Sequence, residues 1–530
     1  MRRLLTSLIA LLAVANLGAQ ENVPKLVVCI TVDQLRGDYI EYFYNTFGEK
    51  GFKRLLNEGL VYGNVRFEFS NIDQASAFAT LYTGSNPAFH GISGKNTYDF
   101  SRERETSILH DPNFLGNYTK ENYSPKNLLA STIGDELKIA SKGRSDVFSI
   151  APDAETAIIS AGHAANGAFW LDNYNGKWAT TTYYKGLPWY VDRYNYGPES
   201  LSTRLEQMVW TPTLPIDRYN AFPYVLDDLP FKYTFNEKMA DCFPLLKTSP
   251  FINKEITRLA LQFLEHGGFG TRSCPDMLAL TYYGGNYASL MEKEYTREIQ
   301  DLYYQLDQDL ENLLDAIDKK VGLQNTFIVF TGSGYYKSIE EYPDGLMMNI
   351  GEFYPKRCVA LLNMYLMALY GQKNWVTGYY NGQIYLDRKT IEDEKMDLEK
   401  IQSKAAEFVA EFTGVQHVTT EHSLRTGNWN ESTANFRQGT HHLKRGDLII
   451  ELQPGWKVNN EKRGEKPQIV RHNAVLTPLI FMGNGLKPQH VYREVKATEV
   501  APSITHILRI RPPNATSNLP LSELILKSSK

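Results

Sequence analysis

The sequence predicts an α/β fold: a three-layer α/β/α sandwich around a mostly parallel central sheet, with cap-type insertions. Continuous apolar runs, which are typical of strands buried on both faces, occur at "KLVVCITVD", "DVFSIAP", "MLALTYY", "NTFIVFTG", "DLIIELQ" and "LTPLIFMG". Between them lie amphipathic helical patterns such as "SPKNLLASTIGDELKIAS" and "EYTREIQDLYYQLDQDLENLLDAIDKKVG". This alternation of strands and helices is the pattern of an α/β sandwich.

The first segment of the chain is typical of a secretory signal peptide. Arg2 and Arg3 precede the apolar run "LLTSLIALLAVANLGA", which ends in small residues, so we expect residues 1–19 to be removed by cleavage near Ala19. That run is short for a membrane span, and no later segment is long and apolar enough for one. We therefore expect an exported protein of the periplasm or the extracellular space, without a membrane span.

Two regions interrupt the alternation of strands and helices. Residues from about 170 to 250 are rich in Trp, Tyr, Pro and Asn and have weak periodicity, which indicates a cap-type insertion at the edge of the sheet. Residues from about 355 to 442 contain the charged amphipathic helix "RKTIEDEKMDLEKIQSKAAEFVAEFTGV" and the strand-like "VQHVTT", which indicate a small α+β subdomain. The rest of residues 20–530 is predicted to form the α/β core.

Charge and cysteine content exclude some classes of function. The 530-residue chain has a formal net charge of -4 and no long run of either sign, so nothing favours a nucleic-acid partner. Its four cysteines form no CxxC pair, which disfavours a structural zinc knot. Cys29 lies in an apolar strand and is expected to be a buried thiol. For Cys242 and Cys274, both a disulfide and two free thiols are compatible with the sequence.

The residues that follow each apolar run carry the functional information, because chemistry in open α/β sheets lies at the carboxyl ends of the strands. Asp33 follows the first run, and "TLYTGSNPAFHGISG", "LALTYYGGNYASL", "IVFTGSGYY" and "LTPLIFMGNG" come later in that order. Together with "AGHAANGAFW", "KNWV", "IYLD" and "RGDLIIELQPGW", this order resembles the alkaline phosphatase superfamily. Within it, the sequence is most similar to the type I phosphodiesterase/nucleotide pyrophosphatase branch and its bacterial phosphate-monoesterase relatives. The resemblance covers nearly the whole chain after the signal peptide.

This resemblance implies a particular catalytic apparatus. Members of the family hold two zinc ions that clamp the attacking and leaving oxygens, and a Thr or Ser hydroxyl on one metal attacks phosphorus. The ligands stand at strand ends: an Asp after the first strand, an Asp-x-x-x-His motif, an Asp-His pair and a final His. Each of these positions can be located in the present sequence.

Matched residue by residue, the resemblance implies a member that lacks the nucleophile and most metal ligands. Asp33 matches the first carboxylate ligand, as a relic metal ligand or as a plain turn residue paired with Arg36. Gln74 stands at the expected nucleophile position and has no ionisable hydroxyl. The other expected positions are held by residues that differ from the family pattern. Phe78 stands at a histidine of the nucleophile motif, Asn286 and Leu290 at the Asp-x-x-x-His motif, Ser333 and Gly334 at the Asp-His pair, and Leu476 at the final His.

The phosphate-binding positions implied by the resemblance also differ here. Some bacterial relatives have Lys-x-Arg after the strand that precedes "AGH", and this sequence has Ala151, Pro152 and Asp153 there. Asn96 or Lys95 stands near the position of an Asn that contacts phosphate in relatives. No cationic clamp for a phosphate dianion is visible in the sequence.

Two functions from different classes follow from these observations. The first is a non-catalytic binding or scaffold protein of the cell envelope, with no expected cofactor, whose partner is another envelope protein or a small ligand in the cleft. The alternative is a metal-dependent phosphomonoester or phosphodiester hydrolase with zinc in an atypical or relocated site.

An atypical site would need other donors than the usual ones. Ser76 is a candidate for a shifted nucleophile, and a rebuilt metal site would use His441, His442, His472 and Asp33. Without such a site, we expect the emptied cleft to be plugged by side chains that pack on one another, with polar side chains hydrogen-bonded at its rim. The predicted plug is Gln74, Phe78, Leu290 and Leu476, and the predicted rim is Asn286, Ser333 and Asp33.

Overall fold

The computed structural model describes most of the chain after the predicted signal peptide, which lies outside the described residues. The described residues are 23–100, 102, 104–219, 230–239, 241–290, 296–337, 351–427, 429–461, 468–469 and 474–525. Within these ranges, no helix has both the length and the apolar character that crossing a membrane requires.

The strands, in chain order, are β1 (Leu26–Asp33), β2 (Leu60–Arg66), β3 (Asn96–Asp99), β4 (Arg104–Ser107), β5 (Gly116–Asn117), β6 (Val147–Ala151), β7 (Gly167–Leu171), β8 (Trp178–Thr181), β9 (Val209–Trp210), β10 (Tyr233–Thr234), β11 (Asp276–Tyr283), β12 (Thr326–Gly332), β13 (Glu352–Phe353), β14 (Val376–Tyr380), β15 (Gln383–Leu386), β16 (Val415–Thr420), β17 (Leu448–Leu452), β18 (Lys457–Val458), β19 (Gln468–Ile469), β20 (Thr477–Gly483), β21 (Gln489–Val491) and β22 (Val495–Lys496).

The α-helices, in chain order, are α1 (Gly37–Tyr42), α2 (Phe52–Glu58), α3 (Gln74–Thr83), α4 (Pro87–His90), α5 (Ile133–Ala140), α6 (Ala154–Ala161), α7 (Trp189–Tyr196), α8 (Leu201–Arg204), α9 (Cys242–Leu246), α10 (Pro250–His266), α11 (Arg297–Lys320), α12 (Pro355–Tyr370), α13 (Arg388–Asp393), α14 (Leu398–Ala410), α15 (Glu421–Thr426), α16 (Glu431–Gly439), α17 (Val500–Ile507) and α18 (Ser522–Ile525).

A central sheet of eleven strands organises the described part of the chain. Its order is β21-β2-β20-β12-β1-β11-β6-β7-β8-β5, and β22 also pairs with β2. The middle of the sheet is parallel, since β1 pairs in parallel with both β11 and β12, β6 with β11, and β7 with β6. β20 and β8 pair antiparallel with their neighbours. The prediction of an α/β fold with a mostly parallel sheet is therefore confirmed.

Helices cover both faces of this sheet. Along β1, Leu26, Val28 and Ile30 point into one apolar core, while Val27 and Cys29 point into the other. Helices α10 and α11 contribute to the first core, and α3, α6 and α17 contribute to the second. All eight residues of β1 are buried, which explains why the strand is a continuous apolar run rather than an alternating one.

One of the apolar runs lies outside the central sheet. The run "DLIIELQ" forms β17, which joins β14, β15 and β16 in a separate four-stranded antiparallel sheet. This sheet packs with α12 and α14 into a third core. An apolar run indicates that a strand is buried, but it does not indicate to which sheet the strand belongs. Most of this unit comes from the predicted insertion at about 355–442, and β17 follows that range.

The predicted cap at about 170–250 contributes short elements to the same side as the first core. Helix α7 and residues Leu201, Trp210 and Phe243 all belong to that core, and β8 extends the central sheet. The cysteines of the described chain are free thiols, including Cys242 and Cys274.

Candidate functional site

The carboxyl ends of β1 and β12 and the first turn of α3 bring three of the expected site positions together. Asp33 is the last residue of β1, Ser333 follows β12, and Gln74 is the first residue of α3. The N–H of Gln34, next to Asp33, donates to Ser333 Oγ over 2.8 Å, and Gln74 reaches Asp33 directly. The parallel pairing of β1 with β12 places these strand ends side by side.

A neutral amide fills the position where the resemblance implies a nucleophile. Gln74 Nε2 donates to Asp33 Oδ2 over 2.9 Å, and the Tyr335 hydroxyl donates to the same oxygen over 3.3 Å. Asp33 is only 2% exposed, and burial raises the pKa of its carboxyl to about 6 despite these hydrogen bonds. Arg36 pairs with Asp38 instead of Asp33.

Helix α3 begins at Gln74 because Asp73 and Ser76 form a capping box. The Asp73 carboxylate accepts the Ser76 N–H over 2.9 Å, and Ser76 Oγ accepts the Asp73 N–H over 3.0 Å. Ser76 is fully buried, and its hydroxyl also donates to Asp73. This hydroxyl serves the helix cap, and the geometry does not favour Ser76 as a shifted nucleophile.

Asn286 and Ser333 are buried and hydrogen-bonded. Asn286 Oδ1 accepts the Tyr336 hydroxyl over 2.8 Å, and the Asn286 carbonyl accepts the Tyr283 hydroxyl over 2.6 Å. Ser333 Oγ accepts the Gln34 N–H described above. The prediction that Asn286, Ser333 and Asp33 are hydrogen-bonded is confirmed, although all three are buried and do not form an exposed rim.

The prediction that the side chains of the plug pack on one another was wrong. Phe78 is buried in the second core, where its ring stacks on Tyr82, whereas Leu290 packs against the first core on the other face of the sheet. Leu476 is 62% exposed just before β20, and its carbonyl accepts the Gly37 N–H. The central sheet separates Phe78 from Leu290, so these side chains cannot pack on one another.

Phe67 blocks the position of a further expected ligand. Gly334 has a φ of 69°, and a Cβ at Gly334 would lie 2.1 Å from the Phe67 ring. A side chain of any kind at position 334 therefore requires Phe67 to move and adds backbone strain. The imidazole that the resemblance places there has no room in this structure.

Two lysines lie beside the strand-end site: Lys95, which the sequence places near a phosphate-contacting position of relatives, and Lys247, which the sequence reasoning missed. Lys247, from the predicted cap, is 7% exposed and donates to Asp153 Oδ1 over 2.9 Å, while Lys95 lies 3.5 Å from the Glu155 carboxylate. Gln74 Nε2 lies 3.5 Å from Asp153 Oδ2 and so links this ion pair to Asp33. Each lysine faces a carboxylate, so neither is an uncompensated cation. No motif marks Lys247, because its proximity to Asp153 arises only from the fold.

Burial and charge act in opposite directions on Asp153. Burial alone would raise the pKa of the Asp153 carboxyl, but the positive charges of Lys247 and Lys95 outweigh it and lower that pKa to about 2. Asp153 is therefore an anion at neutral pH. It stands where some relatives carry the second cation of Lys-x-Arg.

The side chains present do not fit a zinc pair. Asp33 has one buried oxygen, Oδ1, without a hydrogen-bond partner among the described residues, and this feature suits a cation. Zinc requires several carboxylate, imidazole or thiolate donors around each ion. Across the described ranges, no group of three or more His, Cys, Asp or Glu side chains is arranged to hold a metal.

The rebuilt histidine site receives no support from the described residues. The rings of His441 and His442 lie 4.4 Å apart, but within the part of the chain that the structure covers they join no metal-type cluster with Asp33. His472 lies outside the described residues.

Comparison with known proteins identifies the family. The family model for type I phosphodiesterase / nucleotide pyrophosphatase matches residues 27–475. Alkaline phosphatase PafA of Elizabethkingia meningoseptica is 28% identical, over 96% of this chain and 96% of the relative. A protein of Myroides odoratus described as a calcium-transporting ATPase is 30% identical, over 95% of each chain.

A solved structure agrees with these sequence matches. The crystal structure of wild-type alkaline phosphatase PafA has a TM-score of 0.80 and 27% identity, and the match covers 94% of this chain and 98% of that one. At the level of family, these comparisons favour the hydrolase alternative over the non-catalytic expectation. With its fold, its strand-end motifs and a match over most of its length, the chain belongs to the type I phosphodiesterase/nucleotide pyrophosphatase family within the alkaline phosphatase superfamily.

Proposed function

We propose that this member of the family is a non-catalytic binding or scaffold protein built on the alkaline phosphatase fold. The observation that carries the proposal is the hydrogen bond from Gln74 to Asp33. It places a neutral amide, rather than a hydroxyl, at the start of α3 beside the first carboxylate. The lone pair of an amide nitrogen is delocalised into its carbonyl group, so the Gln74 side chain cannot serve as a nucleophile towards phosphorus.

The charges around Gln74 also oppose phosphate-ester chemistry. Asp33 and Asp153 both lie within hydrogen-bond reach of Gln74, and Lys247 is already paired with Asp153. A phosphate dianion entering here would meet two carboxylates, and the lysine nearest to them is already paired with Asp153. Zinc would normally offset such repulsion, but the donor set does not fit it.

The partner and the location of the protein are part of the same proposal. The apolar N-terminal run followed by small residues supports export to the periplasm or the extracellular space. There the chain would bind another envelope protein or a small ligand in its cleft. A net charge of -4 without a basic cluster in the sequence supports a partner other than nucleic acid.

Metal content and turnover, measured together, test the proposal. The full chain is expressed in zinc-supplemented medium, its zinc is quantified by mass spectrometry, and it is assayed with p-nitrophenyl phosphate and bis-p-nitrophenyl phosphate. PafA of Elizabethkingia meningoseptica, prepared in parallel, is the positive control. We expect substoichiometric zinc and no hydrolysis above the buffer rate.

The second candidate is a metal-dependent phosphoric ester hydrolase, supported by full-length similarity to an alkaline phosphatase. It predicts stoichiometric zinc and hydrolysis of one of the two esters that a chelator abolishes. That result would overturn the non-catalytic proposal. A Gln74→Ala variant then separates two cases, since turnover that survives the substitution would locate the reaction away from α3.

A further inference from the structure

A second pocket lies between the β3–β4 hairpin and the β14–β15 hairpin of the third core. Its volume is about 200 Å³, and neither Asp33, Gln74 nor Asp153 lines it. Its walls come from four separate parts of the chain. The side chains that matter most are Asn71, Tyr98, Tyr380, Asn381, Gln383 and Lys444.

Aromatic rings from the two hairpins form one wall of this pocket. Tyr98 of β3 stacks on Tyr380 of β14, with ring centroids 5.4 Å apart and planes 23° apart. Phe100 contacts both Tyr98, at 4.8 Å, and Tyr385, at 4.7 Å. All four rings are partly exposed. A partly exposed aromatic wall offers a flat apolar surface on which the C–H face of a sugar ring can lie.

Side-chain amides lie around the pocket beside this wall. Asn71, Asn381 and Gln383 each carry both a donor and an acceptor group, as a sugar hydroxyl does. Gln383 uses its Oε1 to accept the Gly446 N–H over 2.8 Å, which fixes the orientation of its amide. Asn381 and Gly382 form the two-residue turn between β14 and β15, with φ values of 47° and 76°. The turn therefore holds the Asn381 amide at a defined place on the pocket edge.

Lys444 gives the pocket its charge. It is the one charged side chain among the described residues that line the pocket, and no ion pair to it is found within the described part of the chain. Its Nζ makes a long hydrogen bond of 3.4 Å to the Gly91 carbonyl. Burial lowers the pKa of this ammonium group, and no acidic group acts against that effect. A partly buried cation surrounded by neutral amides favours an anionic ligand.

We propose that this pocket binds an acidic monosaccharide unit, a hexuronic acid. The carboxylate of the sugar pairs with Lys444, one face of its ring packs on the Tyr98–Tyr380 wall, and its hydroxyls bond to the amides of Asn381 and Gln383. Each part of the pocket then meets the part of the ligand that it suits: cation with carboxylate, aromatic face with C–H groups, amide with hydroxyl. The proposal does not depend on whether the strand-end site hydrolyses phosphate esters.

Calorimetric titration of the full chain with D-glucuronate, D-glucose and acetate tests the proposal. We expect saturable binding of glucuronate at concentrations up to about 10 mM, weaker binding of glucose, and none of acetate. Lys444→Met removes the charge and is expected to weaken glucuronate at least about tenfold while leaving glucose nearly unchanged.

Asn381→Gly deletes the amide while keeping a residue that tolerates a positive φ, so the turn is retained. It should weaken both sugars. Asn484→Gly is the matched control, since Asn484 also has a φ of 47° and does not line the pocket. Lys356→Met is the control for charge, because Lys356 is exposed on α12.

Three results would overturn the proposal. Glucuronate fails to bind, acetate binds as tightly as glucuronate, or glucuronate binding is unaffected in both Lys444→Met and Asn381→Gly. Melting temperatures of the two pocket variants within the range of their controls would show that a change in binding does not reflect unfolding.

Discussion

Replacing Lys247 with methionine would remove the cation that faces Asp153 while keeping most of the apolar volume of the side chain. The two groups are 2.9 Å apart, and Lys247 is 7% and Asp153 28% exposed. The Asp153 pKa falls from 3.8 to about 2 in the folded protein, where the lysines outweigh the opposing effect of burial. A shift of that size corresponds to about 2.5 kcal/mol, and solvent screening of the partly exposed carboxylate reduces this to about 1–2 kcal/mol.

The loss in the variant should lie at the upper end of that range. Without Lys247, burial acts on the Asp153 carboxylate with only Lys95 and the Gln74 amide still opposing it, and a largely buried charge that loses its nearest cation costs more than the pair contributed. We therefore expect Lys247→Met to lower the free energy of unfolding by about 2 kcal/mol at pH 7. Asp153→Asn in the same chain should restore part of this loss.

Urea unfolding of the wild type, the two single variants and the double variant measures this coupling. The coupling between the substitutions should reach about 1 kcal/mol, and Lys356→Met should be neutral. Because the pKa of Asp153 is lowered on folding, its contribution is present above the unfolded pKa and is lost as pH falls from about 4 towards 2. The wild-type advantage should therefore shrink over that range. Additive substitutions, or a pH-independent difference, would refute the reasoning.

Two further predictions concern the strand-end site. The pKa of Asp33 is raised to about 6 on folding, so its favourable contribution is present below about pH 4 and is lost as pH rises through 6. Asp33→Asn keeps an acceptor for Gln74 and should raise the melting temperature at pH 8 but not at pH 4; equal effects at both would contradict this. Gly334→Ala should destabilise the protein by about 2–4 kcal/mol, because its Cβ meets the Phe67 ring and its φ is positive. A Phe67→Leu background should relieve part of that loss in urea unfolding, and a neutral Gly334→Ala would contradict the reasoning.

More of the fold than of the side-chain packing at the site could be predicted from the sequence. Apolar runs identified the central strands β1, β6, β11, β12 and β20, because a strand covered by helices on both faces has no polar side to show. The same signal could not assign β17 to its own small sheet, since burial does not depend on which neighbours provide it. The sheet order and the antiparallel pairing of β20 likewise come from the fold and have no local sequence signal.

For the site, too, one part could be predicted from the sequence and another part could not. That Asp33, Gln74 and Ser333 would lie together follows from their places at strand ends and at a helix start. The sequence could not show whether the side chains of the predicted plug would meet. Phe78 and Leu290 can pack together only if they lie on the same face of the sheet, and the sequence does not show which face each residue occupies. Lys247 was missed because it comes from an irregular segment whose path over the sheet the sequence does not reveal.

The side chains around Gln74 are linked by hydrogen bonds and an ion pair, so a substitution at position 74 would affect its neighbours as well. Asp33 is a buried carboxylate, and the Gln74 amide and the Tyr335 hydroxyl partly satisfy it without a cation. Gln74 also approaches Asp153, whose charge is balanced by Lys247. A hydroxyl at position 74 alone would be too short to make either contact and would leave Asp33 less satisfied, while bringing no donor for a metal. The neutral amide is thus one part of a set of hydrogen bonds and ion pairs that partly satisfies Asp33 and balances the charge of Asp153 within the protein itself.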